Sequence, residues 1–135
     1  MAAQRGKDLL LKILNGGSYQ SVAGLRTKRL AFNAGTVDVT NAESAGRWRE
    51  LLAGAGVQRA SIAGAGIFRD QGSDGLVRSA FFNGSILDWQ VVIPDFGTVA
   101  GLFQVTALEY SGAHDGEILF ELALESAGPL SFTVL

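Results

Sequence analysis

The chain has 135 residues, room for one domain with a hydrophobic core and too few for two. Hydrophobic residues make up 47% and charged ones 18%, which excludes a disordered tail, and a net charge of −2 argues against binding nucleic acid by bulk charge. The absence of cysteine excludes disulfides, zinc–thiolate sites and thiol nucleophiles, and suits folding in a reducing cytoplasm.

No run approaches the ~20 apolar residues of a membrane helix, so no membrane partner is expected. Residues 9–14 are apolar but broken by Lys12 and followed by the turn Asn15-Gly16-Gly17, which does not read as a signal peptide. Residues 7–14 predict the first strand. Residues 19–23 and 27–32 predict two more around a bend at Gly24, and 37–40 a brief alternating segment. Thr40, with Glu43 three residues on, forms a capping-box pattern, so a helix is expected there. Its buried face would hold Ala45, Trp48, Leu51 and Leu52, a Glu43–Arg47 pair would sit outside, and Gly54-Ala55-Gly56 would end it. Residues 57–69 then alternate, with Ser61, Ala63, Ala65 and Ile67 on one side and Ile62, Gly64, Gly66 and Phe68 on the other.

A second, shorter helix is expected over residues 74–82, capped by Ser73 or Asp74, apolar through Leu76, Val77, Ala80 and Phe81, and ended by Asn83-Gly84. Strands follow at 85–93, stopped by Pro94, and at 98–110, before a turn at 111–116. Residues 117–125 alternate most clearly: Glu117, Glu121 and Glu125 share a face with Leu119 and Ala123, against Ile118, Phe120, Leu122 and Leu124. A last strand covers 130–135. The sum is a mainly β chain, an antiparallel sandwich or barrel with one flanking α-helix and a second short one, forming one domain over residues 1–135.

Catalytic constellations are missing. His114, the single histidine, sits in the polar turn Gly112-Ala113-His114-Asp115-Gly116 without a nucleophile or orienting partner. Residues 70–75 imitate a calcium loop, but Gly72 takes its third position and Phe81 stands where a bidentate glutamate belongs. Asp95-Phe96-Gly97 lacks the other kinase motifs, and Gly64-x-Gly66 lacks a third glycine and a following helix. Glu117, Glu121 and Glu125 recur every fourth residue, about 13 Å apart on a strand, too far for a glycosidase pair. Arg26, Lys28 and Arg29 cluster without aromatic neighbours, a poor nucleic-acid site. No enzyme activity, metal or cofactor is expected.

Several runs nonetheless carry a resemblance: Val22-Ala23-Gly24-Leu25-Arg26-Thr27, Val37-Asp38-Val39-Thr40-Asn41-Ala42-Glu43-Ser44 and Trp48-Arg49-Glu50-Leu51-Leu52. It continues through Trp89-Gln90-Val91-Val92-Ile93-Pro94-Asp95-Phe96-Gly97, Phe103-Gln104-Val105, Leu108-Glu109-Tyr110 and Phe120-Glu121-Leu122-Ala123-Leu124-Glu125-Ser126-Ala127-Gly128. In this order they resemble the major tail proteins of long, non-contractile phage tails, above all those of the gene transfer agents of alphaproteobacteria. The resemblance implies a virion or particle structural protein, made and assembled in the producing cell's cytoplasm. It implies six copies in a ring, and rings stacked into a tube with a continuous β-barrel wall. A tape-measure protein would fill the lumen during assembly, and terminator and distal tail or baseplate proteins would meet the ends. DNA would pass through without specific binding.

A conduit for DNA should have an acidic or neutral wall without stacking side chains. Ser61, Ala63 and Ala65, with Glu117, Glu121 and Glu125, are therefore expected to face the lumen. For contact between rings, the expected element is a hairpin over residues 24–35, its Arg26, Lys28 and Arg29 meeting Asp70 and Asp74 of the next ring. Two alternatives stand beside this reading: another tail protein of terminator or sheath-like type, and a monomeric β-barrel binding module using Phe81, Phe82 and Trp89.

Overall fold

The computed structural model describes Arg5 and residues 9–69 and 72–134. Leu10–Asn15 (β1) and Ser18–Ser21 (β2) form a hairpin closed through Gly16 and Gly17, at φ 61° and 94°; a two-residue turn of this kind matches the twist of paired strands. Leu25–Ala34 (β3) and Gln58–Ile67 (β4) pair next, and Gly72–Asn83 (α1) follows. Ile86–Ile93 (β5), Gly97–Gly112 (β6) and Ile118–Val134 (β7) complete one antiparallel sheet of order β2-β1-β5-β6-β7-β4-β3. The part of the first predicted strand at Lys7 and Asp8 lies outside the described residues.

The two strands predicted at 117–125 and 130–135 are one bent strand. Pairing with β6 jumps from Phe103↔Ser126 to Gly101↔Leu130, so residues 127–129 bulge opposite Leu102. Pro129, which has no N–H to give the ladder, sits in that break. One end of the β6–β7 hairpin therefore carries β5 and β1, and the other carries β4 and β3. The sheet folds over into two layers with the apolar faces inside. Leu11, Ile13, Trp89, Val91, Phe103 and Val105 meet Ala60, Ile62, Phe120, Leu122 and Leu124 in one cluster. Each fully buried side chain of this size contributes about 1.5–3 kcal/mol.

The second predicted helix is present as α1, extended by a residue or two at each end, with Val77 and Ala80 in the core. Ser73 Oγ accepts the Ala23 N–H at 3.1 Å, tying the helix start to the crossing from β2 to β3. Its end is a Schellman motif: Gly84 at φ 62°, with Ser85 N–H donating to Ala80 O and Gly84 N–H to Phe81 O, both at 3.1 Å.

The helix predicted from Thr40 does not form. Residues 35–57 make an extended arm with a single 3-10 turn, Ala45–Arg47. Thr40 does not cap a helix; its hydroxyl accepts the Glu50 N–H across the arm at 2.7 Å. Asp38 accepts the Thr40 N–H and Asn41 the Glu43 N–H, both at 2.8 Å, and Ser44 Oγ accepts the Asn41 N–H at 3.0 Å. Short polar side chains thus offer the backbone turns in place of helical bonds. Gly46 and Arg47, at φ 60° and 61°, complete the break. Val39 N–H to Glu50 O (3.0 Å), Leu52 N–H to Val37 O (2.9 Å) and Gly35 N–H to Val57 O (2.7 Å) hold the two sides together.

Candidate functional site

The face of the β6-β7-β4-β3 layer turned away from the core has a simple composition. Paired residues of adjacent strands point the same way, so the registers define rows across it. One row runs Gln104–Glu125–Ser61–Ala31, the next Ala107–Ala123–Ala63–Arg29, and the third Glu109–Glu121–Ala65–Thr27. Carboxylates stand on both sides of an alanine floor, and a broad open groove over it is rimmed by Arg29, Glu109 and Glu121. Glu109 lies directly opposite Glu121, a like-charge pair that costs stability.

Ser61, Ala63, Ala65, Glu121 and Glu125, named from separate stretches of sequence, are thereby brought onto one contiguous surface. Glu117 lies in the turn before β7 and lines a neighbouring groove with Arg26, Ser111 and Leu119. Gln104, Ala107 and Glu109 of β6 were not legible. The alternation that puts Phe103 and Val105 inside changes phase at a bulge between Val105 and Ala107, where Thr106 donates its hydroxyl proton to Ala123 O at 3.3 Å.

The basic cluster is dispersed, and residues 24–35 hold strand β3, not a hairpin. Arg29 belongs to the alanine row, exposed. Lys28 pairs with Gly64 and is half-buried, and Arg26 is the extra residue of a bulge between Leu25 and Thr27. Asp74 is only 6% exposed, in the first turn of α1, where a carboxylate is favoured by the helix dipole. Burial pushes the Tyr110 phenol up, and the charge of Asp74 adds to the shift. Asp70 lies outside the described residues.

A second surface is apolar. The arm exposes Val37, Val39, Leu51, Leu52 and Trp48, the last at 77%. Among the described residues no group of three or more His, Cys, Asp or Glu could hold a metal, and no helix is long and apolar enough to cross a membrane.

The model of the phage tail tube protein family matches residues 3–132. The chain belongs to that family. It is thus a structural component of a particle tail. A tail of an empty gene transfer agent particle, refined helically in C6 symmetry, contains a chain 54% identical, with TM-score 0.94 over 98% of this chain and 100% of that one. A virion of a native gene transfer agent particle contains a chain 55% identical, with TM-score 0.92 over the same shares. The SPP1 tail tube shares the fold at 15% identity and TM-score 0.76, over 97% of this chain and 79% of that one. None of the curated proteins compared with this tail tube chain matches it.

Proposed function

We propose that this chain is the ring-forming subunit of a gene transfer agent tail. Six copies close a ring, rings stack into a hollow conduit, and DNA passes through it into a recipient cell. The observation that carries this reading is the outer face of the β6-β7-β4-β3 layer, where Glu109, Glu121 and Glu125 stand over Ser61, Ala63, Ala65, Ala107 and Ala123. DNA presents one negative charge per ~1.7 Å of its axis, so a wall of carboxylates repels it. Small side chains give the bases no aromatic face on which to stack. We assign this face to the lumen, with Glu117 at its rim. The C6 symmetry of the tail that holds the 54% identical chain supports six-fold closure here.

Residues 1–135 act as one domain in this reading, and the role is structural and not catalytic. A tape-measure protein occupies the lumen during assembly, and terminator and distal tail proteins meet the two ends. Contact between rings falls to the apolar arm, because large exposed apolar patches mark interaction surfaces. That role passes from the charged set Arg26, Lys28, Arg29, Asp70 and Asp74, since Asp74 is nearly buried and Arg29 belongs to the face assigned to the lumen. Negative-stain electron microscopy of the purified protein across a concentration series is the test. Rings or hollow tubes of six-fold symmetry are the expected result; a monomer that persists at high concentration argues against it.

A further inference from the structure

We propose that an ion pair locks each seam of the ring, Arg29 of one copy meeting Glu109 of the next; this rests on the tube reading above. Among the described residues the β6-β7-β4-β3 layer has two edges that no further strand pairs. β6 pairs with β5 only as far as Ile86↔Gln104, so beyond Gln104 it has β7 on one side and no strand on the other. β3 pairs with β4 alone. Three antiparallel pairings separate β6 from β3, so the two edges run in opposite directions. A head-to-tail repeat of the subunit therefore sets β3 of one copy antiparallel to β6 of the next.

Opposite charge is placed at those two edges. On the outer face β6 presents Gln104, Ala107, Glu109 and Ser111, and β3 presents Thr27, Arg29 and Ala31. Neither Arg29 nor Glu109 makes an ion pair with a described residue of its own subunit. Within one subunit their rows are adjacent, a step of about 7 Å along a strand, and a seam that continues this row register keeps the pair within reach of an arginine side chain. Pairing of like edges would set Arg29 against Arg29 or Glu109 against Glu109, so the same charges reject two-fold dimers and select the ring-building orientation. The pair also neutralises the guanidinium of the alanine row, leaving the wall acidic.

The test is charge exchange, with the wild-type chain assembled in parallel and folding checked by circular dichroism. Arg29→Glu and Glu109→Arg are each expected to raise the concentration needed for ring or tube formation by roughly tenfold or more. The double variant is expected to recover assembly. An equimolar mixture of the two single variants is expected to recover it as well, because alternating copies meet charge with opposite charge at every seam; a pair within one subunit gives no such rescue. Single variants that assemble like the wild type, or folded single variants rescued by neither route, overturn the seam while leaving the tube standing. A wild-type chain that forms no rings overturns both.

Discussion

Trp89 and Trp48 mark two regions held together by different forces. Trp89 is fully buried between the sheet layers, whereas Trp48 is 77% exposed on the arm. The two-layer body is held by apolar area, with Ile13, Phe103 and Leu124 also buried almost completely. The arm has no core: backbone bonds, four short polar side chains and a long Arg49–Asp38 ion pair of 3.8 Å maintain its shape. A segment that is ordered yet keeps its apolar side chains in solvent is shaped for contact with something else, and its local stability should be low.

The contrast is broken most directly by the tryptophans themselves. Trp89→Ala is expected to cost about 3–5 kcal/mol in urea denaturation, and Trp48→Ala less than about 0.5 kcal/mol. Trp89→Phe should cost less than Trp89→Ala, because it keeps most of the buried aromatic volume, and the indole N–H lost in both variants has no hydrogen-bond partner among the described residues. Equal losses at the two tryptophans would abolish the distinction between body and arm.

Gly66→Ala tests the body from the backbone side. A Cβ there would collide with the Gly24 carbonyl, so a loss of about 2 kcal/mol is expected in thermal denaturation. On the arm, Thr40→Ala should speed hydrogen exchange at the Val39 and Leu52 amides by an amount equivalent to about 1 kcal/mol, with the global melting temperature unchanged. A fall in that temperature would mean the arm is cooperative with the body. Glu121→Gln removes the like-charge opposition to Glu109 and is expected to stabilise the isolated subunit by about 0.2–1 kcal/mol, read from urea midpoints.

The smallest effect is that of acid on the arm. The Thr40 hydrogen bonds hold the Asp38 carboxyl below its usual range, with Arg49 adding to them. A depressed pKa contributes stability that is present above the ordinary carboxylate value and is lost as pH falls through the lowered one. Titration of the Thr40 amide by NMR should therefore show a midpoint below the ordinary aspartate range. A midpoint within that range would mean the Asp38–Thr40 bond is absent in solution.

Much of the body was legible because period-two alternation is a property of consecutive residues. The buried series Phe120, Leu122 and Leu124 and the opposite-face series of exposed Glu121, half-buried Ala123 and exposed Glu125 follow from it directly. So does the end of α1 at Gly84, where a positive φ suits glycine. The arm was misread because a capping-box pattern and an apolar face at helical spacing are local signals. The same Thr40 and Asn41 side chains serve cross-arm and turn hydrogen bonds equally well, and nothing local decides between the two.

Sequence by itself determined the strand-rich class, the faces of β4 and β7, the second helix and the family. Tertiary structure alone decided that those two faces lie side by side, through Ser61↔Glu125 and Ala65↔Glu121. It also decided that Glu109 joins them across a phase-shifting bulge, and that Arg29 and Glu109 occupy opposite open edges of one layer. Alternation fixes which side of a strand a residue occupies. Which strand becomes its neighbour depends on bends, bulges and the burial of a shared core, and those are set by residues far apart in the chain.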